Sequence, residues 1–240
     1  MRIAKYLAHA GIASRRQAEA LIAQGRVKLN GSVVTDMAIS VESPVDLVEF
    51  DDKPVLPEKP VYIMLYKPAG YICTVDDPQG RATVLELVRA VKERIYPVGR
   101  LDYDTEGLLL LTNDGQFTNR IIHPRYKIDK KYLVWVQGLL NSHELNLLRN
   151  GVQLEDGITA PAAVNLLKGD KRTSVIELII HEGRKRQVKR MCNAVGHRVV
   201  RLQRTALEFL TLDGLQPGDF RYLQQDEVNR LQAIAMQEKY

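Results

Sequence analysis

Apolar residues near the start of the chain recur at the three- and four-residue spacing of a helix. Ile3, Tyr6, Leu7 and Ala10 fall on one face of this segment. Gly11 follows them, and glycine ends helices well because it takes the left-handed conformation without steric cost. The pattern therefore predicts a short amphipathic helix that ends at Gly11.

A second helix is predicted to begin after Ser14, because a Ser followed three residues later by Gln17 matches the capping-box pattern. Gly25 is placed to end this helix. A short apolar run at 27–29 then leads into the Asn-Gly pair at 30–31, a strong signal for a β-hairpin turn. The start of the chain thus predicts a small module of two helices and a hairpin.

The proline-rich run at 51–60 is typical of a semi-extended linker. We therefore predict a first domain at 1–50 and a larger domain at 61–240. In the larger domain most gaps between strand-like runs are too short for a crossover helix, which predicts an α+β fold with helices packed on a mostly antiparallel or mixed sheet. The strand-like runs are 61–66, 108–112, 132–136, 175–180 and 199–202, and the helix-like runs lie near 83–93, 142–149, 184–195 and 225–235.

Composition narrows the class of protein. The chain has 240 residues, of which 45% are hydrophobic and 26% charged, as in ordinary globular proteins. No window is long and apolar enough for a membrane helix, and the first residues lack the pattern of a secretory signal. Cys73 and Cys192 lie far apart and in no CxxC motif, which is typical of a reducing compartment. We therefore expect a cytoplasmic protein.

The net charge of +5 is concentrated in two segments. Residues 1–45 carry six Lys or Arg and three acids, and residues 182–204 carry eight Lys or Arg and one acid. The remainder of the chain is acidic overall. Either basic segment alone would be interpreted as a solvated charged face. The two together indicate a surface that binds a polyanion such as a nucleic acid.

The first basic segment places two guanidiniums, Arg15 and Arg16, at the start of the second predicted helix. The helix dipole disfavours cations there, whereas backbone N–H groups at the same end can bind a phosphate. Lys28 lies on the neighbouring hairpin. The segment resembles the S4 domain, a small RNA-binding module, and the resemblance implies RNA contacts for these residues and for Lys5. The matching positions are 5–16, 18–19, 21–22, 25–27 and 30–31.

A polar loop at 99–107 directly precedes the apolar run at 108–111. Among its residues are Arg100, Asp102 and Asp104. An Asp at such a position is most often a turn former or a cap, but it can also be a catalytic group. Asp102 and Asp104 also form a DxD pattern, although no His or third carboxylate stands at a spacing that would complete a metal site.

The second basic segment predicts a helix with one apolar and one basic face, because Val188, Met191, Cys192 and Val195 fall at helical spacing. The basic face carries like charges four residues apart, which are mildly destabilising in an isolated helix. Such crowding indicates either a polyanion or a buried acid as the neutralising partner.

Three motifs together resemble the RsuA/RluB-type pseudouridine synthases, enzymes that isomerise uridine in ribosomal RNA. The resemblance implies that Asp102 is the catalytic aspartate, Tyr132 an active-site tyrosine and Lys189 the basic partner of the aspartate. The motifs are Gly-Arg-Leu-Asp at 99–102, Lys-Lys-Tyr at 130–132 with the strand that follows, and the basic run at 182–191.

With the S4-like module the resemblance spans almost the whole chain, and it is strongest to the RluB-like, large-subunit branch over 95–115 and 123–130. Many relatives carry Arg where this chain has Lys189, so the ion pair would have one bond instead of two. Arg186 or Arg190 could be the partner instead. Relatives also place a glycine near Glu208, which leaves the turn there open.

The reaction implied by the resemblance breaks the bond from uracil N1 to ribose C1′ and joins C5 to C1′. No redox change or group donor takes part, so we expect no cofactor. The five histidines form no ligand set, so we expect no metal. Asp102 would act as a nucleophile or as a base on a ribose hydrogen, Tyr132 would stack beneath a flipped-out uracil, and Arg100 would fill the vacated space in the RNA.

The expected partner is ribosomal RNA, most of all 23S RNA, with no membrane contact and a monomeric enzyme. The alternatives are a small-subunit 16S RNA synthase, a non-catalytic S4-type RNA-binding or ribosome-assembly protein, and a metal-dependent transferase that uses Asp102 and Asp104. The residues expected to contact RNA are Lys5, Arg15, Arg16, Lys28, Arg100, Arg184, Lys185, Arg186 and Arg190.

Overall fold

The computed structural model describes residues 1–42 and 44–236, so residue 43 of the predicted first domain and residues 237–240 of the predicted second lie outside the described residues. The chain divides into two compact units. One is Met1–Val61 with Val91–Arg94, and the other is Tyr62–Ala90 with Ile95–Tyr240. Among the described residues, no helix has the length and apolar character needed to cross a membrane.

The first unit has the two helices and the hairpin that the sequence predicts. Ile3, Leu7 and Ile22 are fully buried in its apolar core. The capping box is confirmed, since Ser14 Oγ accepts from the backbone N–H of Gln17 and the Gln17 side chain accepts from the backbone N–H of Ser14. The elements are α1 (Ile3–His9), α2 (Arg15–Ala23), β1 (Val27–Leu29), β2 (Ser32–Val33), β3 (Val48–Phe50) and β4 (Lys53–Pro54).

The segment 51–60, predicted as a linker, belongs to the first unit instead. Asp51 and Asp52 take φ angles of 48° and 62° and form the turn between β3 and β4. Arg26 and Lys28 form ion pairs with these two carboxylates. The prolines are compatible with extended backbone, but the paired charges and the strand pairing hold the segment on the unit.

The second unit is built on one mixed sheet with helices packed on it, as predicted. Its strands are β5 (Tyr62–Lys67), β6 (Tyr96–Val98), β7 (Glu106–Thr112), β8 (Lys130–Gln137), β9 (Gln153–Leu154), β10 (Gly157–Ile158), β11 (Ala163–Gly169), β12 (Thr173–Ile180), β13 (Val199–Leu207), β14 (Leu210–Thr211) and β15 (Phe220–Tyr222). Its α-helices are α3 (Gly115–Ile122), α4 (Ser142–Asn150), α5 (Gln187–Ala194) and α6 (Gln225–Met236).

In the described residues the sheet has nine strands. Seven follow the order β11-β12-β8-β13-β7-β5-β15, while β14 pairs with β13 and β6 with β7. Strands β13 and β7 pair in parallel, and the other pairs in the sheet are antiparallel. Strands β9 and β10 form a separate hairpin.

Strand β7 lies inside the sheet, and both of its faces are buried. The four leucines at 108–111 are each at most 1% exposed. Leu108 and Leu110 pack in one cluster with Phe117 of α3 and Leu231 of α6. The polar loop that precedes β7 is therefore attached to a rigid, fully packed element.

Strand β11 was not predicted from the sequence, and three helical segments also differ from the expectation. The run 83–93 forms only a short 3₁₀ helix, Val84–Val88, because the chain beyond it joins the first unit. Helix α3 was not predicted, although Asp114 caps its start. Helix α5 begins three residues later than expected, since Arg186 takes a left-handed φ of 51° at its N-cap.

Gly107 lies where β7 and β13 pair in parallel, opposite Arg204. Its φ is 116°, and a Cβ there would lie 2.2 Å from the carbonyl oxygen of Arg204. We expect Gly107→Ala to lower the free energy of unfolding by about 3 kcal/mol or more, measured by urea denaturation. A Cβ at Gly183 would meet nothing within 4 Å, so Gly183→Ala is the control. Equal losses in the two variants would contradict this account.

Candidate active site

The loop at 99–105 places Asp102 on the wall of a cavity of about 140 Å³ in the second unit. The backbone N–H of Thr105 donates to the carbonyl oxygen of Asp102 at 3.1 Å, and the N–H of Leu101 donates to Cys73 Sγ at 3.3 Å. The Asp102 side chain is 35% exposed. Its carboxylate is thus held by an ordered loop and is still open to a ligand.

A buried ammonium holds this loop from the sheet. Lys67 ends β5 and is fully buried. Its Nζ donates to the carbonyl oxygens of Thr105 at 2.8 Å, Pro68 at 3.0 Å, Asp102 at 3.1 Å and Tyr103 at 3.4 Å. Burial lowers the pKa of Lys67 below its ordinary value, and negative charges nearby oppose this. Charge-assisted hydrogen bonds therefore fix the loop backbone at Asp102 and in the three residues that follow it.

Lys189 lies on α5, more than eighty residues after the loop in the sequence, and its side chain contacts the same loop. Its side chain is 11% exposed, and its Nζ lies 2.5 Å from Asp104 Oδ1 and 3.6 Å from Asp102 Oδ2. The cation expected to face Asp102 lies beside it, but its hydrogen bond goes to Asp104. Burial favours the neutral form of Asp104, yet Lys189 outweighs this and holds the pKa of Asp104 below its ordinary value.

Strands β8 and β13 bring two further side chains to the cavity. Tyr132 and Arg204 pair across these strands and both line the cavity, with 8% and 4% exposure. The register shifts between Arg204 and Ala206, and such bulges often re-aim a side chain beside a functional site. Arg204 Nε donates to the carbonyl oxygen of Leu108 at 2.7 Å. The cavity thus combines a carboxylate, a phenol and a buried guanidinium.

Arg100 is exposed and lines the Asp102 cavity from the same loop. Arg100, Leu101 and Asp102 also line a second, more open cavity of about 460 Å³, together with Tyr103 and Arg81. The loop therefore separates two spaces, and Arg100 borders both of them.

Acids of the chain neutralise part of the second basic segment. Arg190 makes two hydrogen bonds with Asp156, each of 2.9 Å. Arg184 donates to two carbonyl oxygens of β10, at 2.9 and 2.7 Å. These two guanidiniums hold the β9–β10 hairpin. Lys185 and Arg186 are exposed, and neither forms an ion pair with another described residue.

In the first unit, Arg15 and Arg16 are exposed on the first turn of α2. Neither they nor the partly exposed Lys5 form an ion pair with any residue in the described part of the chain. Lys28 pairs with Asp52. Of the four cations expected to contact RNA in the first unit, Arg15 and Arg16 are therefore the most accessible to a phosphate.

Lys67, Thr105 and Arg204 were not identified from the sequence. Lys67 ends an apolar run, and Arg204 stands at a position of β13 where every second side chain is buried. A charged residue in a buried register is a signal that could have found both of them. Thr105 carries no such signal, because its burial depends on how the loop folds.

Comparison with known proteins identifies the class. A profile of the RNA pseudouridylate synthase family matches residues 61–194, and a profile of the S4 domain matches residues 1–42. The chain belongs to the RNA pseudouridine synthases, isomerases that convert uridine in RNA into pseudouridine, and it carries an S4 domain. The resemblance inferred from the sequence motifs is confirmed.

Individual relatives match over nearly the whole chain. The ribosomal large subunit pseudouridine synthase B of Bacillus subtilis (strain 168) is 51% identical over 236 residues, which are 98% of this chain and 96% of that protein. The ribosomal small subunit pseudouridine synthase A of Vibrio vulnificus (strain CMCP6) is 37% identical and covers 95% of this chain and 98% of its own length. A crystal structure of a pseudouridylate synthase matches with a TM-score of 0.68 at 34% identity, covering 96% of this chain and 99% of that one.

The loop anchor can be tested by Lys67→Met, which keeps an unbranched side chain and removes the ammonium. Four carbonyl oxygens would each lose a charged donor, so we expect a loss of about 3 kcal/mol in the free energy of unfolding and faster amide hydrogen exchange at Thr105. Lys168→Met, on the exposed face of β11, is the control and should change neither. Unaltered exchange at Thr105 in the Lys67 variant would refute the anchor.

Proposed function

We propose that the protein isomerises one uridine of large-subunit ribosomal RNA and that Asp102 carries the reaction. The observation that carries this proposal is the position of the Asp102 carboxylate, on the wall of a cavity and 3.6 Å from a buried ammonium. The Bacillus subtilis relative, named as a large-subunit enzyme, supports the choice of RNA because its identity is 51%, against 37% for the small-subunit relative from Vibrio.

The chemistry requires an ionised carboxylate beside the ribose. Asp102 either attacks C1′ or removes a ribose hydrogen, and the electron pair of the N1–C1′ bond leaves with the uracil ring. The ring then turns, and C5 supplies the electron pair of the new bond to C1′. On the first route the bond between Asp102 and C1′ breaks as this bond forms, and its electron pair returns to the carboxylate; on the second route Asp102 gives the hydrogen back to the ribose. C5 loses a proton and N1 gains one, so atoms and electrons balance without an oxidant or a group donor.

Lys189 places a positive charge 3.6 Å from the carboxylate of Asp102, and the two opposite charges attract each other. Asp104 takes the hydrogen bond from the same ammonium. A lysine between the two carboxylates also makes a metal site of Asp102 and Asp104 unfavourable, since a second cation there would be repelled.

The cavity suits a base that has left its stack. An apolar cavity of about 150 Å³ takes up benzene, a six-membered ring like uracil, and the Asp102 cavity is of similar size at about 140 Å³. Tyr132 supplies an aromatic surface for stacking, and Arg100, on the rim shared by two cavities, is placed to contact the RNA where the base has left.

Phosphate contacts would supply affinity without selecting the base. The exposed cations Arg15 and Arg16 in the first unit, and Lys185 and Arg186 in the second, are our candidates for these contacts. We expect Arg184 and Arg190 to contribute less to phosphate binding, because carbonyl groups and acids of the chain already bind their guanidiniums. Mapping pseudouridine in ribosomal RNA from cells with and without the protein would identify the uridine, and a site in 16S RNA would replace the large-subunit proposal.

We expect Asp102→Asn to abolish pseudouridine formation while RNA affinity stays within about twofold, because the amide keeps the shape but cannot attack or accept a proton. Single-turnover kinetics and filter binding on a 23S RNA transcript measure the two quantities. Asp226→Asn, on the exposed first turn of α6, should behave as wild type. Product formed by the Asp102 variant would overturn the assignment.

The first unit can be tested by Arg15→Glu combined with Arg16→Glu. Two lost phosphate contacts should weaken binding of the same transcript at least tenfold and flatten the dependence of affinity on salt. The control is Lys171→Glu with Arg172→Glu, which reverses two exposed charges in the turn between β11 and β12. If both double variants bind equally well, the first unit does not contribute in this way.

A further inference from the structure

Three buried side-chain polar atoms have no hydrogen-bond partner among the described residues. They are Thr105 Oγ1, Arg190 Nε and Arg204 Nη2. An unpaired polar atom inside a protein is unfavourable, and native structures rarely keep one without a reason. Two of the three, on Thr105 and Arg204, belong to residues that line the Asp102 cavity.

The fold holds Arg204 firmly by one end of its guanidinium. Nε donates to the carbonyl oxygen of Leu108, and the backbone of Arg204 packs directly against Gly107. The residue is 4% exposed and lies opposite Tyr132 in the sheet. Nη2 is therefore a fixed donor in a cationic group that borders the same space as Tyr132 and Asp102.

Thr105 is fixed in the same way through its backbone. Its N–H donates to the carbonyl oxygen of Asp102, and its own carbonyl oxygen accepts from Lys67. The residue is 2% exposed, so its hydroxyl cannot find a partner by turning to bulk water. The hydroxyl can donate one hydrogen bond and accept others.

Arg190 provides a useful contrast. Its Nε is also unpaired, but both of its terminal nitrogens bind Asp156, so its charge is neutralised by a partner within the chain. Arg204 has no ion pair with any described residue. A buried guanidinium without a counter-ion among the described residues, lining the same cavity as Asp102, can bind a negative charge that arises during the reaction.

We propose that Arg204 and Thr105 bind the uracil ring of the target uridine, and that Arg204 stabilises the negative charge that this ring carries once the N1–C1′ bond has broken. The inference rests on the proposed function. The electron pair of the broken bond spreads from N1 to the carbonyl oxygens O2 and O4. Arg204 Nη2 donates to one of these oxygens, and Thr105 Oγ1 pairs with a neighbouring polar group of the ring. Donors fixed where charge develops lower the barrier because they need no rearrangement.

The same contacts would retain the detached ring in the cavity while it turns. The Leu108 contact leaves Nη2 at a constant place, so the ring can exchange one carbonyl oxygen for the other at the same donor. No other cation that lines the cavity combines an exposure below 9% with a buried terminal nitrogen that lacks a partner among the described residues.

The test uses the full-length enzyme and a ribosomal RNA fragment that carries the mapped uridine, made with either uridine or 5-fluorouridine at that position. Fluorine withdraws electrons, so the departing ring is a weaker base and needs less stabilisation. The variants are Arg204→Met, Arg204→Lys, Thr105→Val and Thr105→Ser. Arg201→Met is the control, because Arg201 lies on the same strand but pairs with Glu106 outside the cavity.

For the uridine fragment we expect Arg204→Met to lower the single-turnover rate roughly 10²-fold, as the loss of one fixed donor does elsewhere, with RNA affinity unchanged. Arg204→Lys should recover at least tenfold, since it restores the cation. With 5-fluorouridine, measured as consumption of the fluorinated nucleoside, the deficit of Arg204→Met should shrink at least fivefold. Thr105→Val should be slower than Thr105→Ser, and Arg201→Met should equal wild type.

Equal deficits of Arg204→Met on the two fragments would overturn the proposal, because damage to the strand alone would slow both reactions alike. If Arg204→Met does not fold, the nearly isosteric pair Thr105→Val and Thr105→Ser decides, and equal rates in that pair would overturn it as well. A wild-type enzyme that forms no pseudouridine would defeat the proposed function itself, which is a different result from an active wild type with unaffected variants.

Discussion

The ammonium of Lys67 donates to the carbonyl oxygens of Asp102, Tyr103 and Thr105 from a fully buried position at the end of β5. These oxygens lie where a strand begins and the chain turns, so the sheet itself offers them no partners. The ammonium satisfies them together and ties the loop to the most buried part of the sheet. The fold itself therefore holds Asp102 in place, as the reaction proposed for this residue would require.

Lys189 interacts in different ways with the two carboxylates of this loop, those of Asp104 and Asp102. Asp104 accepts the hydrogen bond, while Asp102 lies 3.6 Å from the ammonium, within its electric field but without a hydrogen bond from it. A carboxylate that accepts a strong hydrogen bond is a weaker nucleophile and a weaker base. On the proposed mechanism, Asp104 thus takes the hydrogen bond of the buried cation and leaves the carboxylate of Asp102 free to react.

Local patterns predicted the parts of the fold that depend on local physics. The capping box at Ser14 and the buried strand of four leucines at 108–111 both follow from neighbouring residues. Neighbouring residues did not predict the turn at 51–52 or the contacts of Lys67 and Arg204. Each of these depends on partners distant in the chain, such as Arg26 for Asp51. Asp102, Tyr132 and Lys189 were named through family motifs, and periodicity alone could not have separated them from turn, core and surface residues.

The second basic segment shows why a count of charges is a poor guide to RNA contacts. Arg184 and Arg190 bind Asp156 and β10, and this holds the β9–β10 hairpin against the start of α5. The same helix carries Lys189 to the loop that contains Asp102 and Asp104. The count of charges alone assigns Arg184 and Arg190 to RNA, whereas in the structure they help to position another cation, Lys189.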